Sequence, residues 1–449
     1  MTTTLPPSQR WITAWDPEDT EFWQRRGRRV AIRNLIVSVL SEHIGFSIWT
    51  MWSVLVLFMS PAIGFDFDAG EKFLMVAVPT LVGAVLRLPY GYAVTRFGGR
   101  DWTIFASAIL LVPTVLAVIF IHRPGTPPWV FLLIGAATGV GGGNFASSMT
   151  NIANLFPRRH QGWALGVNAG GGNLGVAVIQ LIGLLVIATA GATHPSYVAA
   201  VYLPLIVLAT LLAATKMDNV DAVRVKPGAQ REALSNPHTW SISLLYIGTF
   251  GSFIGYGFAF GLVLRTQFGS DPLQAATYTF LGPLLGSLFR PVGGWLADRH
   301  GGARITLWTF AGMATGTVVL LVASAHGSFP LFILGFTILF VLSGIGNGST
   351  YRMIPAVFIA QAERAIAAGQ DASLSFAAAR RLSGAVIGIA GAVGALGGVA
   401  INLAFRAAYG GTERSGTPAF LSFLAFYALC ALVTARVYRQ RGSRETAHV

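Results

Sequence analysis

Twelve long stretches of the chain are almost wholly apolar, and short polar segments separate them. They run roughly over 36–59, 73–94, 102–121, 129–156, 163–189, 197–215, 239–264, 273–296, 305–324, 330–361, 382–405 and 418–435. Most approach or exceed the about 20 residues that a helix needs to cross a ~30 Å hydrocarbon core. None shows the alternating ten-residue rhythm of an outer-membrane barrel strand. The pattern predicts an all-α membrane protein with twelve transmembrane helices. It breaks over 216–238, where Lys216, Asp218, Asp221, Lys226, Pro227, Arg231 and Glu232 mark a polar linker. The expected division is a segment 1–35, a six-helix bundle 36–215, the linker 216–238, a second bundle 239–435 and a tail 436–449.

The second set of spans repeats the first at an offset of 203 residues. Leu86-Arg87-Leu88-Pro89-Tyr90-Gly91 aligns with Phe289-Arg290-Pro291-Val292-Gly293-Gly294, and Gly98-Gly99 with Gly301-Gly302. Gly83 likewise pairs with Gly286, Gly141 with Gly344, and Gly143-Asn144 with Gly346-Asn347. A pseudo-symmetric six-plus-six repeat resembles the plan of the major facilitator superfamily, whose substrate site lies between the halves near the midplane. The run from Gly293 to Arg304, with Asp298-Arg299-His300-Gly301-Gly302 at its centre, resembles that superfamily's loop signature between spans eight and nine. Its first-half copy, Gly91 to Arg100, carries Thr95 where the acid would stand.

Composition sharpens the class. The 449 residues are 53% hydrophobic and only 11% charged, where a soluble domain carries about a quarter charged residues. The 31 Lys and Arg against 18 Asp and Glu give a net charge of +13. Counted loop by loop, 23 of the basic residues fall on the side of the two termini and 5 on the other. That bias predicts cytoplasmic termini, and it accounts for the basic pI without nucleic acid. A single cysteine, Cys430, excludes a disulfide framework and cysteine-based metal sites. The polar, basic start lacks the short apolar region of a secretory signal, so the first span is expected to direct insertion.

Three basic residues, Arg87, Arg290 and Arg352, lie inside spans. Arg87 precedes Arg96 by nine residues and Arg290 precedes Arg299 by nine, which at about 1.5 Å per residue puts each roughly 13.5 Å into the bilayer. Such an Arg needs an anion, a water-filled cavity or backbone carbonyls. Two in equivalent positions, without a carboxylate to neutralise both, point to a small anion held between planar guanidinium forks. Of the 18 acids only Glu42 lies within a span, and His43 beside it is the only histidine well inside one. The pair is a candidate proton site. The alternative is a satisfied glutamate near the cytoplasmic end, paired with Arg352. Tyr246 and Phe250, four apart on one helix face, and Phe145 after Asn144 are candidate cavity residues. Gly162, Gly166 and Gly170, with Gly384 and Gly388, form small-residue stripes of the kind that lets helices pack closely.

Longer runs carry a closer resemblance. Gly141-Gly142-Gly143-Asn144-Phe145-Ala146-Ser147-Ser148, then Phe156-Pro157, then Gly162 through Gly170-Gly171-Gly172-Asn173-Leu174-Gly175 closely resemble the nitrate signature of NarK-type nitrate/nitrite porters. Gly344-Ile345-Gly346-Asn347-Gly348 resembles the second-half signature, and Trp15 to Asn34 is similar to the family's N-terminal segment. The resemblance implies nitrate, or alternatively nitrite, held by Arg87 and Arg290, sandwiched by Phe145 and Phe250, with Tyr246 and Asn173 as donors. Glu42-His43 departs from exchanger-type members, which have apolar residues there, and Arg352 replaces an amide expected in exchangers. Ser41 to Trp52 looks more like the proton-linked importer branch. The expectation is therefore a secondary transporter of a bacterial inner membrane, most simply a nitrate/proton symporter. Nitrate/nitrite exchange is the alternative, and a transporter-like nitrate receptor a distant one. Expected partners are the anion, protons and lipid; no cofactor, metal, nucleic acid or enzymatic activity is expected, and the chain is expected to be a monomer.

Overall fold

A computed structural model describes residues 11–221, 229–411 and 415–439. Parts of the expected N-terminal segment, linker and tail (1–10, 222–228 and 440–449), and residues 412–414, lie outside the described residues. Eleven helices are long and apolar enough to cross a membrane: α1 Thr20–Phe58, α2 Ala69–Phe97, α3 Gly99–Ile121, α4 Pro128–Leu155, α5 Arg159–Ala190, α6 Ser196–Lys216 and α7 Pro237–Phe268 in the first run. The others are α9 Gly302–Ala325, α10 Phe329–Ala367, α11 Ala372–Gly410 and α12 Thr417–Tyr438. The twelfth, α8, runs as Pro272–Thr279 and then Leu281–His300. Its last turns hold Asp298, Arg299 and His300, and Arg290 lies mid-helix, which lowers its apolar content below its neighbours'.

The internal repeat is visible in the backbone. α2 ends at Gly98 with φ +89°, and α8 ends at the equivalent Gly301 with φ +86°. Both pair that φ with an extended ψ, a conformation open essentially to glycine alone. On the side of the termini, a two-residue strand β1 (Trp11–Ile12) pairs in parallel with β2 (Asn219–Val220), which follows α6. Asp221 accepts from the Ala14 and Trp15 amides at 2.9 and 3.3 Å, and Asn219 Oδ1 accepts from the Arg100 amide at 2.9 Å. These bonds tie the start of the linker to the first half.

The halves meet mainly at the end opposite the termini. There Phe73 stacks on Phe405 at 5.8 Å, Arg265 donates to the Leu57 carbonyl, and Gln180 donates to the Gly257 carbonyl at 2.5 Å. Toward the termini the halves separate. Here the packing expectation for the glycine stripes fails: a Cβ on Gly162, Gly166, Gly170, Gly384 or Gly388 would meet nothing within 4 Å. The glycines that do pack α5 against α1 are Gly171, Gly172, Gly175 and Gly183, one helix face away; a Cβ on Gly172 would lie 2.3 Å from Glu42 Oε1. Spacing identifies a smooth stripe but not the face that is covered.

Gly141 is a similar close approach, its added Cβ falling 2.1 Å from the Gly45 carbonyl oxygen. Gly141→Ala should destabilise the protein in detergent by about 1–3 kcal/mol, the usual range for overpacking. Gly166→Ala should be neutral or stabilising, by up to about 1 kcal/mol of helix propensity. Thermal unfolding of the two variants checks the contrast, and equal melting temperatures would contradict it.

Candidate functional site

Arg87 on α2 and Arg290 on α8 are both buried, at 1% and 7% exposure. Arg87 Nε donates to the Gly142 carbonyl at 3.3 Å, and Nη1 donates across the divide to the Gly391 carbonyl of α11 at 2.7 Å. Its guanidinium carbon lies 4.7 Å from the ring centres of both Phe145 and Phe250, and 5.5 Å from Trp49. The electron-rich faces of these rings stabilise a desolvated cation. Arg290 donates from Nη2 to the Tyr246 hydroxyl at 3.2 Å and lies over Tyr351 at 5.5 Å. Arg87 Nη2 and Arg290 Nη1 are buried without a hydrogen-bond partner. Among the described residues no carboxylate forms an ion pair with either Arg.

The aromatic residues join these two cations. Over Ile247–Gly251 α7 widens into a π-turn, a distortion often found at functional sites. Tyr246 and Phe250 flank and share this turn, and their rings stack at 5.1 Å with only 11° between planes. Phe250 in turn faces Phe145 of α4 at 6.2 Å and 26°. A continuous contact path thus runs from Arg87 through Phe250 and Tyr246 to Arg290. The Arg87 guanidinium lies against both rings of the Phe145–Phe250 pair, so the two rings and the cation form one unit.

Asn173 on α5 is 1% exposed, and both its amide nitrogen and its amide oxygen are buried without partners. Asn347 on α10 is in the same condition. Leaving a buried amide unmade costs about 1–3 kcal/mol, so such groups are expected where a ligand completes them. Asn347 stands out in the sequence as the repeat mate of Asn144 and within the Gly344–Gly348 run that resembles the second-half signature. Asn144 itself is internally satisfied, donating to Ser41 Oγ at 3.2 Å. Tyr351 had no sequence signal.

Glu42 is fully buried on α1. Its Oε2 accepts from Asn168 Nδ2 at 2.6 Å, Asn168 Oδ1 accepts from Ser148 Oγ at 3.0 Å, and Oε1 has no partner. His43 is half-buried and its Nδ1 lies 3.0 Å from the Gly171 carbonyl. Adjacent helical residues point apart, and the two side chains here take separate partners on α5. The pairing of Glu42 with Arg352 is not formed. Arg352 instead pairs with Asp298 at the end of α8, and both side chains are more than half exposed. The reason is length: α10 has 39 residues, about 58 Å of helix, so its later turns run beyond the hydrocarbon core. Among the described residues no cluster of three or more His, Cys, Asp or Glu is placed to hold a metal ion.

The sequence profile of the Major Facilitator Superfamily matches residues 44–402. The chain is 38% identical to the nitrate/nitrite transporter NarU of Salmonella typhimurium, over 97% of each chain. It is 31% identical to the probable nitrate/nitrite antiporter NarK2 of Thermus thermophilus, over 97% of this chain and 98% of that one. The chain belongs to the NarK-type nitrate/nitrite porter family of the major facilitator superfamily. It is accordingly a transporter and not an enzyme. The fold is shared with the xylose transporter XylE from E. coli in a partially occluded inward-open conformation, at a TM-score of 0.66 and 14% identity, over 91% and 98% of the two chains.

Unpaired guanidinium nitrogens, one from each half, suit a small planar anion that accepts from both. Arg87→Lys keeps the charge but loses the planar fork, and should weaken anion binding by about tenfold or more. Trp49, beside Arg87, supplies an intrinsic fluorescence readout. Unchanged affinity would mean that charge alone is sufficient.

Proposed function

We propose that the protein imports nitrate by alternating access in symport with protons, across a bacterial inner membrane with both termini in the cytoplasm. The observation that carries the anion reading is the pair of buried Arg residues, one from each half, with unpaired donors and no carboxylate on either. The names of the relatives supply the substrate class, nitrate or nitrite. Nitrate is flat and singly charged, so its three coplanar oxygens match two planar donor arrays. In this reading Arg87 and Arg290 bind the anion, Phe145 and Phe250 bound its faces, and Tyr246 and Asn173 orient it. Because the two cations belong to opposite halves, an anion between them relieves their repulsion and draws the halves together.

The proton reading rests on Glu42. Moving a monovalent anion inward against an inside-negative potential costs about 2.3 kcal/mol per 100 mV. Co-transported protons supply that work, and they need a group inside the membrane that gains and loses charge. Glu42 is such a group: buried and half-satisfied through Asn168. A proton on Glu42 and an anion at the Arg pair then compensate one another. His43, on the adjoining face of α1, is the second candidate on the proton path. Exchange of nitrate for nitrite is the other reading, favoured by the antiporter name of the Thermus thermophilus relative.

Glu42→Gln separates the two in proteoliposomes. Proton-driven nitrate uptake should fall by about tenfold or more, because among the described residues no other carboxylate is buried to carry the proton, while nitrate counterflow persists. If the variant takes up nitrate like the wild type, Glu42 is not the coupling site.

A further inference from the structure

The terminal-side ends of α1 and α6 enclose a groove of about 700 Å³ that the transport reading does not use. One stripe of α1 lines it, at positions 25, 28, 29, 32, 33 and 36, the i, i+3, i+4, i+7, i+8, i+11 spacing of a single helix face. The stripe changes chemistry along its length. Arg25, Arg28 and Arg29 occupy its outer turns, and Ile32 and Ile36 the turns that lead toward the bilayer centre. Lys216 and Leu212 repeat the same order on α6, cation outermost and apolar residue one turn deeper.

Two of the cations already have partners: Arg25 pairs with Glu21 at 2.7 Å, and Arg33 pairs with Asp218. Arg28, Arg29 and Lys216 are exposed and form no ion pair among the described residues. Below them Ile36 is 64% exposed. Topology asks only for a number of basic residues on this side of the membrane. It does not ask that three unpaired ones converge over an apolar floor between two spans.

We propose that this groove binds the headgroup of an anionic phospholipid, with its phosphate on Arg28, Arg29 and Lys216 and the start of an acyl chain along Ile32, Ile36 and Leu212. The dimensions fit: seven residues separate Arg29 from Ile36, about 10.5 Å along the helix, which is the reach from a phosphate past its glycerol to the first methylenes. Basic pockets between spans are known receptors for such headgroups. A soluble anion has no use for the apolar floor. Three unpaired cations also exceed one phosphate charge, so diphosphatidylglycerol, with two phosphates, binds more tightly than phosphatidylglycerol.

Native mass spectrometry of the full-length protein in detergent tests this by titration with diphosphatidylglycerol, phosphatidylglycerol and phosphatidylcholine. Wild type should bind them in that order of affinity. R28Q/R29Q should weaken diphosphatidylglycerol binding roughly thirtyfold, from about 1 kcal/mol per basic residue near the surface, and leave phosphatidylcholine unchanged. These residues lie outside the anion site, so retained nitrate affinity reports that the variant is folded. K216Q, on the other helix, should lower affinity about fivefold on the same basis, and it decides the matter if the double variant does not fold. Equal affinity for phosphatidylcholine, or variants that bind like wild type, would overturn the proposal. Displacement of the lipid by inorganic phosphate would overturn it too, and would make the groove a soluble-anion site.

Discussion

Placing two guanidinium ions near the centre of a membrane is the constraint around which the rest of this structure is arranged. Estimates for one such unpaired ion run from about 2.5 to more than 10 kcal/mol. The protein lowers that cost without carboxylates. Arg87 takes two backbone carbonyls, one from each half, and two phenylalanine faces. Arg290 takes a tyrosine hydroxyl and a second tyrosine ring. Neutral partners stabilise a cation while leaving its charge in place for an anion. A carboxylate on either Arg would instead cancel that charge.

The two halves share a frame but not a task. The offset that pairs Arg87 with Arg290 places Leu245 opposite Glu42, so the buried carboxylate belongs to the first half alone. Room for it comes from Gly172, whose missing Cβ leaves the volume that Oε1 occupies, and its hydrogen bond comes from Asn168. Both lie in the glycine-asparagine run of α5, which therefore supports the carboxylate as well as packing the helix. The Arg pair thus follows the symmetry of the repeat, and the buried carboxylate departs from it.

Much of this arrangement is legible in the sequence, because a membrane penalises charge so heavily that each intramembrane Arg or Glu stands out. The spans, Arg87, Arg290 and Glu42 follow from that logic, the repeat from the 203-residue offset, and the pairing of Phe145 with Phe250 from the family resemblance. The rest depends on information that residue types do not carry. The Gly391 carbonyl that holds Arg87 is backbone, with no side chain to mark it. Gly162, Gly166 and Gly170 share a spacing with packing glycines, yet face open space, since the period of a stripe is independent of what covers it. Arg352 lies in an apolar run but beyond the hydrocarbon core, because α10 is far longer than the bilayer is thick. Asn168 and Ser148 were hidden within a motif whose glycines dominate its appearance.

The central claim is that one anion on the Arg pair moves together with a proton on Glu42. Luminal pH in liposomes that contain neither nitrate nor nitrite tests it most directly. Addition of external nitrate should acidify the lumen as nitrate enters, with no anion required on the far side. Nitrate entry that leaves luminal pH unchanged and waits on internal nitrite would contradict the claim and identify the protein as an exchanger.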